Sequence, residues 1–139
     1  MGVDIREVLA PDAPDAPSAL DRTRLLLARD VVFHSPVADY GGRDDVAHLF
    51  AKIGQCLAGL EPLQEFTEPG AAGGDGRESV TTFTARVGEE SAYGALVQRT
   101  DAGGQLTEAT LLLRPLSALK AAVSRMGEAL SADPLPSRR

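Results

Sequence analysis

Three long stretches in the second half of the chain have the composition of β-strands, and the first of them alternates apolar and polar residues with a period of two. They cover roughly residues 79–87, 92–100 and 105–113, and short polar joins rich in glycine and acidic residues separate them. Such alternation is typical of strands with one buried and one wet face, and short joins predict antiparallel neighbours. The first stretch places Phe83, Ala85 and Val87 on one face and Thr82, Thr84 and Arg86 on the other.

Three other segments carry apolar residues at helical spacing. The first begins at a Ser18 N-cap and runs to about Ala28; the second follows the turn Tyr40-Gly41-Gly42 and ends at Gly59. The third has Pro115 in its first turn, a position that proline tolerates. The apolar positions of the three helices are Leu20, Leu26 and Leu27; Val46, Leu49, Phe50, Ile53 and Leu57; and Leu116, Leu119, Val123, Met126 and Leu130.

Two further segments predict short strands, residues 31–34 before Ser35-Pro36 and residues 63–67. The glycine-rich segment 69–76 predicts a loop and no phosphate site, because it lacks the Lys-Ser/Thr ending and a following helix. We predict a Pro/Ala-rich leader over residues 1–17, one α+β domain over residues 18–130 and a flexible tail over residues 131–139. In this domain the helices gather against one face of a curved sheet.

Composition and charge bear on the partners, the location and the metal content of the protein. The chain has 139 residues and a net charge of −6, which disfavours nucleic acid and anionic membrane surfaces as partners. No apolar run approaches the roughly 20 residues that span a bilayer, and the N-terminus lacks an apolar signal core, so we expect a cytoplasmic protein. A single cysteine, Cys56, permits no internal disulfide, and two histidines supply few metal ligands, so we expect no metal.

The order of elements and several motifs resemble the nuclear transport factor 2-like superfamily, in particular its SnoaL-like group of polyketide cyclases and relatives of ketosteroid isomerase. The likeness spans roughly residues 18–130. It rests on Asp-Val-Val-Phe-His-Ser-Pro at 30–36, Tyr-Gly-Gly-Arg-Asp-Asp at 40–45, Asp-Ala-Gly-Gly-Gln-Leu at 101–106 and Glu-Ala-Thr-Leu-Leu-Leu-Arg-Pro-Leu at 108–116. The resemblance implies a cone-shaped, cystatin-like domain. In such a domain a curved antiparallel sheet and helices on its concave face enclose an apolar pocket, often in a homodimer formed through the outer sheet face.

The resemblance also implies where chemistry would lie. Related enzymes commonly place an Asp, or an Asp with Tyr or His, inside the cone to move a proton on a ketone, epoxide or polyketide. The strand position that often carries the acid is Leu96 in this chain, flanked by Gly94 and Gln98 on the same face. This departure from the family pattern counts against a standard carboxylate base.

Four polar residues are the candidates for catalysis. His34, at the end of a strand, could act as acid or base at the pocket mouth, or be a hydrogen-bonded structural residue. Tyr40 could donate to a carbonyl oxygen or simply pack, and Asp39 lies in the same loop. Glu108 shares a face with Leu106 by alternation, and is either a pocket acid or a residue of the outer-face interface.

Two hypotheses remain. The first is a cofactor-independent cyclase or isomerase that moves a proton on an apolar, carbonyl-bearing molecule. The second is a ligand-binding or dimerisation module of the same fold without catalytic activity. In either case the ligand would be an apolar small molecule and the chain a homodimer. We expect the cavity wall to include Phe33, Phe50, Phe83, Leu96, Gln98, Leu112 and Met126.

Overall fold

A computed structural model describes Leu9 and residues 17–69 and 76–138. The described chain contains three helices, as the periodicities predict, and six strands, one more than the five predicted. The additional strand covers Asp39–Gly41, where the sequence predicted a turn. The helices are α1 (Pro17–Leu26), α2 (Arg43–Cys56) and α3 (Leu116–Ala132), and a 3-10 turn (Pro136–Arg138) follows α3. The strands are β1 (Leu27–His34), β2 (Asp39–Gly41), β3 (Ala58–Pro69), β4 (Arg77–Val87), β5 (Glu90–Thr100) and β6 (Leu106–Arg114).

The six strands form one curved, unclosed sheet in the order β2-β1-β6-β5-β4-β3. Only the pairing of β1 with β6 is parallel, because β1 comes from the first half of the chain and inserts beside the last strand; the other pairs are antiparallel. Helices α2 and α3 pack on the inner face of the sheet, where Phe83 and Leu96 are fully buried. The α+β architecture predicted from the sequence is confirmed.

A β-bulge in β6 changes one predicted face. Thr100 pairs with Leu106 and Arg99 pairs with Glu108, so Thr107 is an extra residue in β6. Simple alternation would put Leu106 and Glu108 on the same face, but the insertion reverses the alternation between them. Leu106 is therefore fully buried on the inner face, whereas Glu108 lies on the outer face.

Several predicted boundaries are shifted. The first helix ends at Leu26 rather than near Ala28, and Leu27 is buried as the first residue of β1. The second helix ends at Cys56 rather than at Gly59, whose φ of 59° places it in the left-handed region near the start of β3. The strand predicted over residues 63–67 is part of the longer β3. In each case tertiary pairing extends a strand beyond its local apolar run.

Residues beyond both predicted ends of the domain contribute to the core. Most of residues 1–16 and the glycine-rich segment 70–75 lie outside the described residues, but Leu9 is buried in the core. After α3, Leu135 is also buried in the core, and the Ser137 hydroxyl donates to Asp45 on α2 at 2.6 Å. The buried His48 ring donates from Nε2 to the Asp133 carbonyl at 2.8 Å, which gives His48 a structural role.

Candidate functional site

An apolar cavity of about 240 Å³ lies between the inner face of β1 and β6, helices α2 and α3, and the loop that follows β1. The stripe of apolar residues at helical spacing on α3 forms one wall, and inward-facing residues of β1 and β6 form the opposite wall. The lining residues are Phe33, Ser35, Pro36, Val37, Tyr40, Leu49, Ile53, Cys56, Leu57, Leu111, Leu113, Leu119, Ala122, Val123, Met126, Gly127 and Leu130.

Three polar side chains reach this wall. The Ser35 hydroxyl is occupied, since it donates to the Ala38 carbonyl at 2.8 Å and accepts from the Ala38 amide at 2.9 Å. Burial raises the pKa of the Cys56 thiol, an effect that nearby Arg125 partly offsets, so Cys56 remains a neutral thiol and a poor nucleophile. The ring of Tyr40 stacks on Phe33, and its hydroxyl makes no hydrogen bond within the described part of the chain. Tyr40 is thus the lining residue with a hydroxyl that no hydrogen bond of the described chain occupies.

None of the described lining residues is an aspartate, a glutamate or a histidine. His34 is adjacent to Phe33, but alternation along β1 turns Phe33 inward and His34 outward. A general base must reach its proton within roughly 2.6–3.2 Å or through one water. His34 and Glu108 therefore do not meet the cavity from the positions they occupy.

His34, Asp39 and Glu108 do come together, on the outer face of the sheet. His34 Nδ1 lies 2.8 Å from Asp39 Oδ1, and His34 Nε2 lies 2.8 Å from Glu108 Oε2. These hydrogen bonds, the one to Asp39 being the stronger influence, raise the pKa of His34 above its ordinary value, although partial desolvation opposes them. Glu108 was open to two interpretations in the sequence, and the structure supports the outer-face one.

The contacts continue from Glu108 across the sheet. Glu108 Oε1 accepts from Arg99 Nη1 at 3.2 Å, and Arg99 also pairs with Glu78 on β4. Side chains from five adjacent strands thus form an outer polar row of alternating charge: Asp39, His34, Glu108, Arg99 and Glu78.

The predicted ligand-binding residues divide into three groups. Phe33 and Met126 line the cavity, whereas Phe50, Phe83, Leu96 and Gln98 are buried or packed in the core without lining it. Leu112 is a correction: it is 53% exposed on the outer face, because its neighbours Leu111 and Leu113 take the inward positions of β6. Sequence reasoning missed Ile53, Cys56 and most of the α3 wall as lining residues, although their helical spacing marked that face as buried.

Two features are absent from the described residues. No helix there is both long enough and apolar enough to cross a bilayer. No three side chains among His, Cys, Asp and Glu are grouped there as metal ligands. The outer polar row is not such a group, because His34 lies between its two carboxylates and bonds to each through a different ring nitrogen.

Solved structures with the same fold include three informative neighbours. An uncharacterised protein with a cystatin-like fold from Silicibacter pomeroyi is 24% identical, with a TM-score of 0.76 over 93% of this chain and 86% of that chain. A steroid delta-isomerase from Pseudomonas aeruginosa is 29% identical, with a TM-score of 0.73 over 81% of this chain and 80% of that chain. A nuclear transport factor 2-like protein of unknown function from an Exiguobacterium species is 12% identical, with a TM-score of 0.57 over 79% of this chain and 97% of that chain.

The chain has the fold of nuclear transport factor 2-like and cystatin-like proteins. No family model matches the sequence, and no curated protein matches it significantly. This fold accounts for the curved sheet and for a cavity between that sheet and the helices. It leaves the activity open, because one scaffold of this kind hosts unrelated functions.

Proposed function

We propose that this nuclear transport factor 2-like protein binds a small, neutral, apolar molecule in the cavity between the sheet and helices α2 and α3. The observation that carries the proposal is the wall itself, which is almost wholly apolar and has Tyr40 as its available hydrogen-bond donor. Apolar walls bind by removing ligand surface from water, and a lone polar group then fixes the orientation. The protein acts as a binding module, without covalent chemistry.

The volume of the cavity restricts the ligand. A cavity of ~150 Å³ holds benzene, and drug-sized ligands occupy pockets of ~300–1,000 Å³. At about 240 Å³ the cavity falls between these limits. It suits a molecule with one or two rings or a comparable branched hydrocarbon, and a hydroxyl or carbonyl oxygen on that molecule would meet Tyr40.

A second candidate function is proton transfer on an apolar ketone. Two observations favour it: the 29% identity to a steroid delta-isomerase, and the Tyr40 hydroxyl, which could polarise a carbonyl. The lack of a carboxylate or imidazole among the described lining residues weighs against it. Incubating the protein with a β,γ-unsaturated ketone and following the conjugated product by absorbance decides the matter. Turnover that disappears in Tyr40→Phe would establish isomerase activity and would refute the proposal that the protein only binds its ligand.

Filling the cavity should weaken binding without unfolding the protein. Ala122 lies on α3 and lines the cavity, so a leucine there would occupy ligand space. We expect Ala122→Leu to weaken binding of the fluorescent two-ring probe 1-naphthylamine by about tenfold or more, the equivalent of about 1.4 kcal/mol. Fluorescence titration measures the affinity.

The matched control is Ser124→Leu, two residues along the same helix at an exposed position outside the cavity wall. It adds the same side chain, and we expect it to leave probe affinity within about twofold, as an exposed substitution should. Circular dichroism checks that both variants are folded. Equal affinity in wild type, Ala122→Leu and Ser124→Leu would show that the probe binds elsewhere and would refute the cavity as the binding site.

We propose in addition that two copies of the chain associate through the outer face of the sheet. Cross-strand neighbours share a face, and this face exposes Phe66, Tyr93, Leu112 and Val32 between 38% and 57%. An exposed apolar patch of this kind on a soluble domain marks an interaction site. The outer polar row borders the patch, and its alternating charges suit a second copy because a two-fold interface pairs the same surface with itself.

A further inference from the structure

The loop Ser35–Ala38 joins β1 to β2 and forms one side of the cavity wall. Ser35, Pro36 and Val37 all line the cavity. The loop begins directly after His34 and ends directly before Asp39, and these two flanking residues bond to each other through Nδ1 and Oδ1 at 2.8 Å. The Ser35 N–H donates to the Ala38 carbonyl at 2.8 Å and closes the base of the loop, and the side-chain contact adds a second tie on the outer face. The loop itself faces the ligand space.

The geometry around His34 requires a particular protonation state. Each ring nitrogen lies 2.8 Å from a carboxylate oxygen, Asp39 on one side and Glu108 on the other. A carboxylate can only accept, so both ring nitrogens must donate, and only the imidazolium form carries two N–H groups. A neutral ring would keep one of the two hydrogen bonds and turn a lone pair toward the other carboxylate.

We propose that His34 is a positioning residue whose protonation fixes the loop at the cavity wall, so that the protein holds its apolar ligand more tightly when His34 is charged. The proposal rests on the proposed function, since it concerns the same cavity. With His34 charged, Asp39 and the loop end are tied to β1. When His34 loses its proton, the bond to Glu108 or the bond to Asp39 breaks. Breaking the latter leaves the base of the loop held by its backbone pairing and by the Ser35 hydroxyl alone.

The surroundings favour loss of the Asp39 bond. Glu108 is itself held in place by Arg99 on β5, which pairs further with Glu78 on β4, whereas Asp39 belongs to a strand of only three residues at the sheet edge. Asp39 is also the more exposed partner, at 75% against 39% for Glu108. The neutral ring therefore keeps its proton on Nε2, toward Glu108, and the loop loses its side-chain tie to His34 while its backbone pairing remains.

The raised pKa of His34 sets the sign of the pH dependence. A histidine whose pKa in the folded protein exceeds its unfolded value of about 6.5 stabilises the folded arrangement fully below that value. This stabilisation is lost as pH rises through the folded pKa. We thus expect affinity for 1-naphthylamine, which is neutral over this range, to fall by about threefold to tenfold between about pH 5.5 and 8.5. That range corresponds to one hydrogen bond.

Three variants separate this mechanism from general charge effects. His34→Gln cannot titrate, so its probe affinity should be flat over the same pH range. Asp39→Asn removes the main influence that raises the pKa of His34 and should move the midpoint to lower pH. Asp30→Asn removes the same charge from an exposed position on β1 and serves as the matched control, with a midpoint close to that of the wild type. An identical pH profile in wild type and His34→Gln would overturn the proposal.

A second measurement does not depend on ligand binding. In the protein without ligand, NMR can follow the amide signals of Val37 and Ala38, which donate to the Ser35 hydroxyl inside the loop. We expect these signals to titrate together with the His34 ring, and to be independent of pH in His34→Gln. Loop signals that ignore the His34 titration overturn the proposal even if the probe binds. Loop signals that follow the His34 titration support the role of the His34–Asp39 contact even if the probe fails to bind. Failure of the probe to bind would then refute only the cavity as a ligand site.

Discussion

Replacing Phe33 by alanine is expected to lower the free energy of unfolding by about 3–5 kcal/mol, the usual cost of deleting a fully buried aromatic side chain. Phe33 is completely buried on β1, its ring packs edge-on against Phe50 with centroids 5.0 Å apart, and Tyr40 stacks on its other side at 6.5 Å. The site adjoins an existing cavity, so the neighbours cannot close the new space easily. Urea denaturation followed by circular dichroism measures the loss.

The adjacent residue provides the control. Val32 lies on the same strand but faces outward and is 38% exposed, so Val32→Ala should cost about 1 kcal/mol or less. Losses of equal size in the two variants would contradict the assignment of faces along β1. A folded Phe33→Ala variant would also have a larger cavity, and should accept bulkier apolar probes than the wild type does.

The sheet and helix α2 could be predicted from local patterns because each carries its own periodicity. Phe83, Ala85 and Val87 are buried while Thr84 and Arg86 are exposed, as alternation requires of a sheet with one wet face. The α2 stripe is buried for the equivalent reason at helical spacing. In both cases the side that faces the core follows from residues a few positions apart.

The site could not be predicted to the same extent, because it depends on pairing between distant segments. His34 and Glu108 are 74 positions apart and meet only because β1 inserts in parallel beside β6. Alternation placed Glu108 on the same face of the sheet as Leu106, whereas the two residues lie on opposite faces. No local signal marks Thr107 as the extra residue of a bulge. Asp39 and Tyr40 lie near His34 in the sequence, but only Asp39 contacts it, because Tyr40 turns inward to the cavity wall.

Placing a charge at Leu112 is expected to separate the proposed dimer. Leu112 is 53% exposed at the outer face, on β6 near the middle of the sheet. In a two-fold interface one substitution introduces two charges, and an unpaired charge buried among apolar groups is strongly disfavoured. We expect Leu112→Arg to raise the dimer dissociation constant by about 100-fold or more, equivalent to at least about 2.7 kcal/mol.

Sedimentation velocity over a range of protein concentrations measures this constant, and Leu25→Arg is the matched control. Leu25 is more exposed than Leu112, at 74%, but lies on α1 rather than on the sheet, so its substitution should leave association unchanged. A wild-type protein that stays monomeric at all concentrations would refute the dimer. Equal weakening by both variants would place the interface elsewhere. If only Leu112→Arg dissociates the protein, the outer face joins two copies, and each cavity remains on the inner side of its own sheet.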